Sequence, residues 1–375
     1  MRIVQLVNNL DMGGLERLVL DLAQCQLAAG HEAMIYSLTF PGRLAPEAEK
    51  MGIPVRAFGK GPGPHLSTIW KIKRQLRIDR PDVLHAHNHL VHHYGVMAAK
   101  LAGVPVVVNT RHRAEQRMVS NSTQSSITTE SPDKKVDLIF KAMLPWTDSV
   151  VLISESTREF FARYRGVPKS KSRVILNGAH VERFFSVPSH PGASKPRIRF
   201  GVAARLVTAK DHFTLLRAFR IVAGEISAAE LHIAGDGPLR ESLESYAREL
   251  RLADRVTFLG AVSDTPGFFS SLDIFVMSSL SEGLPIAILE AMAAGLPIVS
   301  TRAGGIEEAA IEGQNARLVA PADPGALAAA MIAMAQEKDL ASIGALGRGM
   351  VKEKFRIEQT WEGYYKLFVA LGAKP

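Results

Sequence analysis

The sequence predicts an α/β protein built from two doubly wound parallel-sheet domains. Three observations carry this. The chain has 375 residues, more than the roughly 250 to 300 at which a single hydrophobic core stops growing. Short β-branched runs alternate with helical patterns, the rhythm of βαβ units. That rhythm breaks at residues 186–195 (SVPSHPGASK), where Pro, Ser and Gly cluster without periodicity as in a linker, and then restarts.

In the first half, residues 3–7, 33–38, 82–86, 105–109 and 149–154 read as buried parallel strands with helices between them. The second series is 197–203, 230–234, 255–259, 273–277 and 297–300. The expected domains are therefore 1–185 and 196–356, joined by 186–195, with a C-terminal helix at 357–375 packing back on the first domain. A polar stretch at 120–135, rich in Asn, Ser and Thr, reads as a mobile loop of the length found in functional lids and in disordered segments.

Composition narrows the function classes. With 47% hydrophobic and 22% charged residues, the chain has the make-up of a folded, non-fibrous protein. Its single cysteine, Cys25, excludes a disulfide framework and a Cys-based zinc site, and fits the cytoplasm. The opening MRIVQLVNNLD reads as a first strand and lacks a signal peptide's long apolar region. No apolar run reaches the roughly 20 residues that span a bilayer, so Asn121-Ser122-Thr123 reads as an accidental sequon. The net charge is +8, and residues 1–185 hold 25 Lys+Arg against 16 Asp+Glu together with nine of the 12 histidines. Such asymmetry suggests an anionic partner for the first domain, a membrane surface or an acidic substrate, unless it is drift in surface charge. Nothing points to nucleic acid.

Several chemistries are missing. There is no GxxxxGK[ST] phosphate loop and no GxGxxG dinucleotide fingerprint. No two aspartates stand at i and i+2, which removes the DxD pair that holds a divalent cation beside a sugar nucleotide. His85, His87, His89, His92 and His93 have no Cys or carboxylate among them and read as strand-end and helix-surface residues. No metal site is expected.

Three constellations remain. Gly13-Gly14 follows the first strand and opens a helix, where free N–H groups and the helix dipole favour an anion; a tight turn would look the same. Arg205 and Lys210 sit where the first strand of the second domain gives way to a helix, the edge at which open α/β sheets bind ligands, and a planar fork beside a point charge suits a diphosphate. The third is SEGLPIAILEAMAAGLPIVST. Pro285 near the helix start leaves Glu282 in the preceding loop and Glu290 on the helix, and Gly283 lets the backbone approach a ligand. Glu290 lies within an almost wholly apolar run, so its carboxylate needs partners.

Taken in order, these elements resemble the retaining glycosyltransferases of family 4, which have the GT-B fold of two Rossmann-like domains facing each other across a cleft. The resemblance rests on Gly13-Gly14 with Glu16, His85-Ala86-His87, Thr110-Arg111-His112, residues 150–155, Asn177-Gly178, Arg205 with Lys210, Gly235-Asp236-Gly237-Pro238 and the Glu282/Glu290 pair. It implies a nucleotide-diphosphate sugar (UDP or GDP) as donor, a glycan or lipid-linked acceptor, and no obligatory metal or other cofactor. By that resemblance Arg205 and Lys210 neutralise the diphosphate, Glu290 holds the ribose, and Glu282 contacts donor-sugar hydroxyls beside Gly283, Leu284 and Pro285. Gly235 and Leu259 join the donor site, His112 faces the donor sugar, and the Gly13-Gly14 loop closes on the phosphates. The catalytic set so implied is His112, Glu282, Arg205 and Lys210. A weaker likeness is to sugar transferases of bacterial exopolysaccharide assembly.

The chain departs from the pattern at Ala204, where Gly is usual, at Leu176, where Pro is usual, and at His180, where Asp is common. Rival readings are another GT-B enzyme, a sugar-nucleotide epimerase or a phosphorylase, and a non-catalytic sugar-binding protein. Residues 65–80 (HLSTIWKIKRQLRIDR) add an amphipathic helix whose Leu66, Ile69, Trp70 and Leu76 share a face flanked by basic residues. Docking on the sheet and contact with an anionic membrane at the inner face of the plasma membrane both fit that pattern.

Overall fold

The computed structural model describes residues 1–112, 118–121, 124–127, 134–185 and 197–374; the expected linker at 186–195 lies outside them. The described residues divide into two compact units. One holds 1–112, 134–178 and 357–374, and the other holds 179–185 and 197–356 with the short strands at 118–121 and 124–127.

The first half of the chain supplies β1 (Arg2–Val7), β2 (Glu32–Ser37), β3 (Val55–Ala57), β4 (Val83–His87), β5 (Val106–Arg111), β6 (Met118–Asn121), β7 (Gln124–Ile127), β8 (Ser149–Leu152) and β9 (Ser172–Val174). All but β6 and β7 form one parallel sheet in the order β3-β2-β1-β4-β5-β8-β9. The second half supplies β10 (Ile198–Ala203), β11 (Ala229–Ala234), β12 (Val256–Gly260), β13 (Ile274–Met277), β14 (Ile298–Thr301) and β15 (Ala316–Val319), parallel in the order β12-β11-β10-β13-β14-β15. Each sheet reverses its direction of growth once, between β1 and β4 and between β10 and β13. In such sheets the crevice outside the carboxyl ends at the reversal is where ligands bind.

Burial explains why the central strands read so clearly. Val106 to Arg111 and Ile274 to Met277 are buried throughout, because helices cover both faces of a parallel sheet. In the second unit Phe200, Val202, Ile233, Ile274 and Val276 pack under Leu215, Phe219 and Met331 of the helices His212–Glu225 and Pro324–Ala335. All ten expected strands are present with ends within two residues of expectation. The strands that the pattern does not announce, β3, β9 and β15, are edge strands of three or four residues. Edges are commonly short and carry charge, which removes the β-branched run that marks a buried strand.

Two expectations are corrected. The stretch 120–135 is not structureless where it is described: β6 pairs antiparallel with β7, and the helix Lys134–Met143 starts inside it. Its other residues lie outside the described set. Polar strands held by backbone pairing leave no apolar period to read. In the helix Leu66–Asp79 the packed stripe is Ile69, Ile72 and Leu76, whereas Leu66 and Trp70 are 70% and 58% exposed. Leu66 lies three residues before Ile69 and four before Trp70, so spacing alone groups them; the core covers only the row through Ile69, Ile72 and Leu76.

The helix Ile357–Ala370 belongs to the first unit. Trp361, Tyr364 and Phe368 are buried. Thr360 donates to the Leu176 carbonyl at 2.9 Å, and the Tyr364 hydroxyl lies 2.8 Å from the Thr110 hydroxyl at the end of β5. Tyr364→Phe removes that buried bond, so the unfolding free energy should drop by about 1 kcal/mol. Urea denaturation measures this, and an unchanged midpoint would show the contact to be neutral.

Candidate functional site

In the second unit, the chain leaving β10 carries Arg205 and then Lys210, and the chain leaving β13 carries Glu282. The two flank the switch point. Their loops are stitched together by backbone and hydroxyl groups. The Leu280 N–H donates to the Ala209 carbonyl at 2.9 Å, and the Ser278 hydroxyl donates to the carbonyls of Lys210 (2.9 Å) and Asp211 (3.0 Å). Asp211 then caps the helix His212–Glu225, accepting from the Thr214 N–H. Lys210 is thus anchored two residues before that helix begins.

Its ammonium is ion-paired with Oε1 of the buried Glu282, and the same oxygen accepts from the Ser279 hydroxyl at 2.6 Å. The Ser279 carbonyl in turn accepts from Thr301 at the end of β14 (2.6 Å). Among the described residues Oε2 of Glu282 has no such partner, so it is open to a ligand hydroxyl. Gly304 supports the loop from behind: its φ is +67°, and a Cβ there would run into the Glu282 carbonyl. Only glycine suits both the left-handed backbone and the close approach.

Gly235 plays a comparable part for Arg205. At φ +140° its Cα faces the Ala204 carbonyl so closely that a side chain would collide with it. Bonds from the Ala204 N–H to Ala234 and from the Leu206 N–H to Asp236, both 2.9 Å, fix the turn between them. Arg205 itself is exposed and holds no carboxylate among the described residues. Leu259, on the edge strand β12, is 44% exposed.

Glu290 sits on the helix Ile286–Ala293 with only 8% of its surface exposed. The partner its burial demands is Arg183, whose guanidinium lies 2.6 Å from Oε1. Gly283 and Leu284 are buried, and Pro285 caps the helix start. The structure therefore joins Lys210 directly to Glu282, gives Glu290 a separate cation, and leaves Arg205 free of both. Arg183, Ser279 and Gly304 escape sequence reasoning. The hydroxyl three residues before Glu282 was the readable signal; Arg183 lies 107 positions from its partner and shows no pattern.

The remaining expected residues lie in the first unit. Gly13 is the extended residue before the helix Gly14–Ala28, and the Glu16 carboxylate folds back over it. His112 follows β5, half-buried, its Nε2 2.9 Å from Nδ1 of the fully enclosed His87. Burial pushes the His112 pKa down to about 3. His85 and His212 are likewise held near 3, mainly by burial, and His87 well below the ordinary value. All four are neutral near pH 7. Among the described residues no group of His, Cys, Asp or Glu is placed to hold a metal, and no helix is long and apolar enough to cross a membrane.

Comparison with known proteins assigns both units. A model described as Glycosyltransferase Family 4 matches residues 12–183, and one described as Glycosyl transferases group 1 matches 197–337. The chain is 27% identical over 346 residues to a glycogen synthase of Mycobacterium tuberculosis, covering 85% of this chain and 82% of that protein. It is 28% identical over 255 residues to the UDP-Gal:alpha-D-GlcNAc-diphosphoundecaprenol alpha-1,3-galactosyltransferase of Escherichia coli, covering 64% of this chain and 62% of the relative. Among solved structures, Anabaena HepE in complex with UDP and glucose superimposes with a TM-score of 0.83 at 19% identity, over 99% of this chain and 100% of that one.

The neutral histidines make stability pH-dependent. Their folded pKa values are below the unfolded value of 6.5, so between 6.5 and about 3 the unfolded chain binds more protons. The contribution is complete above 6.5 and is lost as pH falls towards 3. Chemical denaturation between pH 7 and 4 should show the midpoint falling, and replacing His85 and His212 by Gln should flatten that fall. An equally steep fall in the double variant would assign it to carboxylates instead.

Proposed function

The chain belongs to the family 4 glycosyltransferases, and from that premise we propose that it moves a sugar, with retention of anomeric configuration, from a nucleotide-diphosphate sugar to a glycan or lipid-linked acceptor. The observation that carries this reading is the pairing of Lys210 with Glu282 at the switch point of the second sheet, with Arg205 exposed on the same loop as Lys210 and holding no carboxylate among the described residues. Cations and a buried carboxylate with one open oxygen make a site for a diphosphate joined to a hydroxyl-bearing sugar. A relative named for a diphosphoundecaprenol-linked substrate supports a lipid-linked acceptor. The transferase family models favour transfer over the epimerase, phosphorylase and sugar-binding readings.

In this reading Arg205 grips the diphosphate with its fork while Lys210, already fixed by Glu282, adds a point charge. The bond from the anomeric carbon to the phosphate oxygen breaks, and charge builds on the leaving diphosphate, where these two cations are aimed. The acceptor hydroxyl attacks from the same face, and its proton passes to the leaving phosphate oxygen. Glu282 orients the sugar through Oε2, and Glu290, paired with Arg183, takes the ribose hydroxyls. The family resemblance gives His112 a role toward the sugar and Gly13-Gly14 one toward the phosphates. Arg205 and Lys210 stand in for the divalent cation that a DxD pair would hold, so transfer needs no metal.

We further place the enzyme in the cytoplasm, peripheral at the inner face of the plasma membrane. Trp70 and Leu66 are exposed beside Lys71, Lys73, Arg74 and Arg77, with the Lys73 ammonium 4.3 Å from the Trp70 ring centre. Exposed apolar side chains among cations suit an anionic interface.

Incubation with labelled UDP- and GDP-sugars in excess EDTA should yield anomer-retaining transfer or slow donor hydrolysis. Epimerised donor, mere retention of donor, or activity restored only by magnesium or manganese would overturn the corresponding part. Glu290→Gln should lower kcat/KM by more than about tenfold, roughly 1.4 kcal/mol of transition-state stabilisation. Unchanged kinetics in the folded variant would remove the ribose role. Binding to anionic vesicles should be salt-sensitive and should weaken when Lys71, Lys73, Arg74 and Arg77 become Glu. Equal sedimentation with neutral and anionic vesicles would leave the helix as ordinary packing.

A further inference from the structure

His112 ends a hydrogen-bonded line that begins deep in the first sheet. Gln5 on β1 and His87 on β4 are both fully enclosed. Oε1 of Gln5 lies 2.7 Å from Nε2 of His87, and Nδ1 of His87 lies 2.9 Å from Nε2 of His112. Nδ1 of His112 has no partner among the described residues. The neighbouring pair, His85 Nε2 with the Thr110 hydroxyl at 2.7 Å, is a separate branch ending on Tyr364.

A neutral imidazole has one donor nitrogen and one acceptor nitrogen. A direction imposed at one end of such a line is therefore passed along it. Both rings are neutral, because burial holds them far below the ordinary histidine value. The Gln5 oxygen accepts from His87 Nε2–H, which makes His87 Nδ1 an acceptor. His112 must then carry its proton on Nε2 and donate it to His87. Its Nδ1 is left with a lone pair.

We propose that Gln5 and His87 are positioning residues that set the His112 tautomer, so that His112 accepts a hydrogen bond through Nδ1 from a hydroxyl of the transferred sugar. The ligand in this statement rests on the glycosyltransferase reading; the tautomer does not. A group that accepts only through Nδ1 selects a sugar bearing a hydroxyl at that position, and a deoxy sugar would leave the lone pair unmet. Rotating the Gln5 amide by half a turn would reverse every donor along the line and present an N–H instead. The two directions are experimentally distinct.

Ring-nitrogen NMR on the full-length, isotope-labelled protein, with His112 identified by its absence in His112→Asn, reads the tautomer directly without any substrate. The expected state is Nε2–H in the wild type and in Gln5→Glu, whose carboxylate can only accept, and a mixture of tautomers in the near-isosteric Gln5→Met. In transfer assays Gln5→Met should lose about tenfold in kcat with donor KM changed less than about threefold, and Gln5→Glu should recover most of the loss. An Nδ1–H tautomer in the wild type overturns the proposal, and so does an unaltered tautomer in a folded Gln5→Met. If Gln5→Met does not fold, the wild-type and Gln5→Glu spectra still decide it. A wild type that transfers no sugar refutes the functional reading while the spectra continue to judge the relay.

Discussion

The ion pair between Lys210 and Glu282 ties together the two loops that leave the second sheet on either side of its reversal. A buried carboxylate without a cation would be costly, and so would a buried ammonium without an anion. Each therefore holds the other in place before any ligand arrives. Ser279 shares the occupied oxygen and Thr301 holds Ser279, so the geometry of the carboxylate is set through three successive strand ends, those of β10, β13 and β14. Glu290 obeys the same rule with a different cation, Arg183. Two carboxylates eight residues apart are thus held by separate cations.

Such a site can form only where backbones come closer than side chains permit. The Ala204 carbonyl rests against Gly235 and the Glu282 carbonyl against Gly304, one contact behind Arg205 and the other behind Glu282. Both glycines have positive φ, where other residues are strained. Their work is to shape the loops that present the charges, a role separate from touching a ligand.

The first unit solves a different electrostatic problem. Its sheet interior carries Gln5, His85, His87, Asn109 and Thr110, all fully enclosed. Burial keeps the imidazoles neutral, and neutrality makes each of them directional. The C-terminal helix Ile357–Ala370 closes over this polar stripe, with the Tyr364 ring tilted against His85 at 4.6 Å between ring centres and its hydroxyl bonded to Thr110. A polar core of this kind is stable only when its bonds are made, and the last segment of the chain supplies one of them to strand residues near the first third.

The central strands were legible because burial on both faces writes a continuous β-branched run into the sequence, and the break at 186–195 separated two such series. The carboxylate pair and the Arg205/Lys210 pair were legible because Gly and Pro fixed their places relative to strand and helix. Edge strands, and the short polar pair β6 and β7, left no period to read. The stripe of the helix Leu66–Asp79 was misassigned at Leu66 and Trp70, since a broad face on a helical wheel does not say where the sheet stops covering it. The sequence by itself determined the two-sheet class, the strand ends and the residue types that carry charge there. Only the tertiary structure decided that Lys210 is spent on Glu282, that Arg183 answers Glu290, and that Gln5 reaches His112 through His87. Lys210 and Glu282, 72 positions apart, meet because parallel strands bring their ends to one edge; Arg183 and Glu290, 107 apart, meet where two helices pack together; and Gln5 and His87, 82 apart, meet on adjacent strands, juxtapositions that no local pattern records.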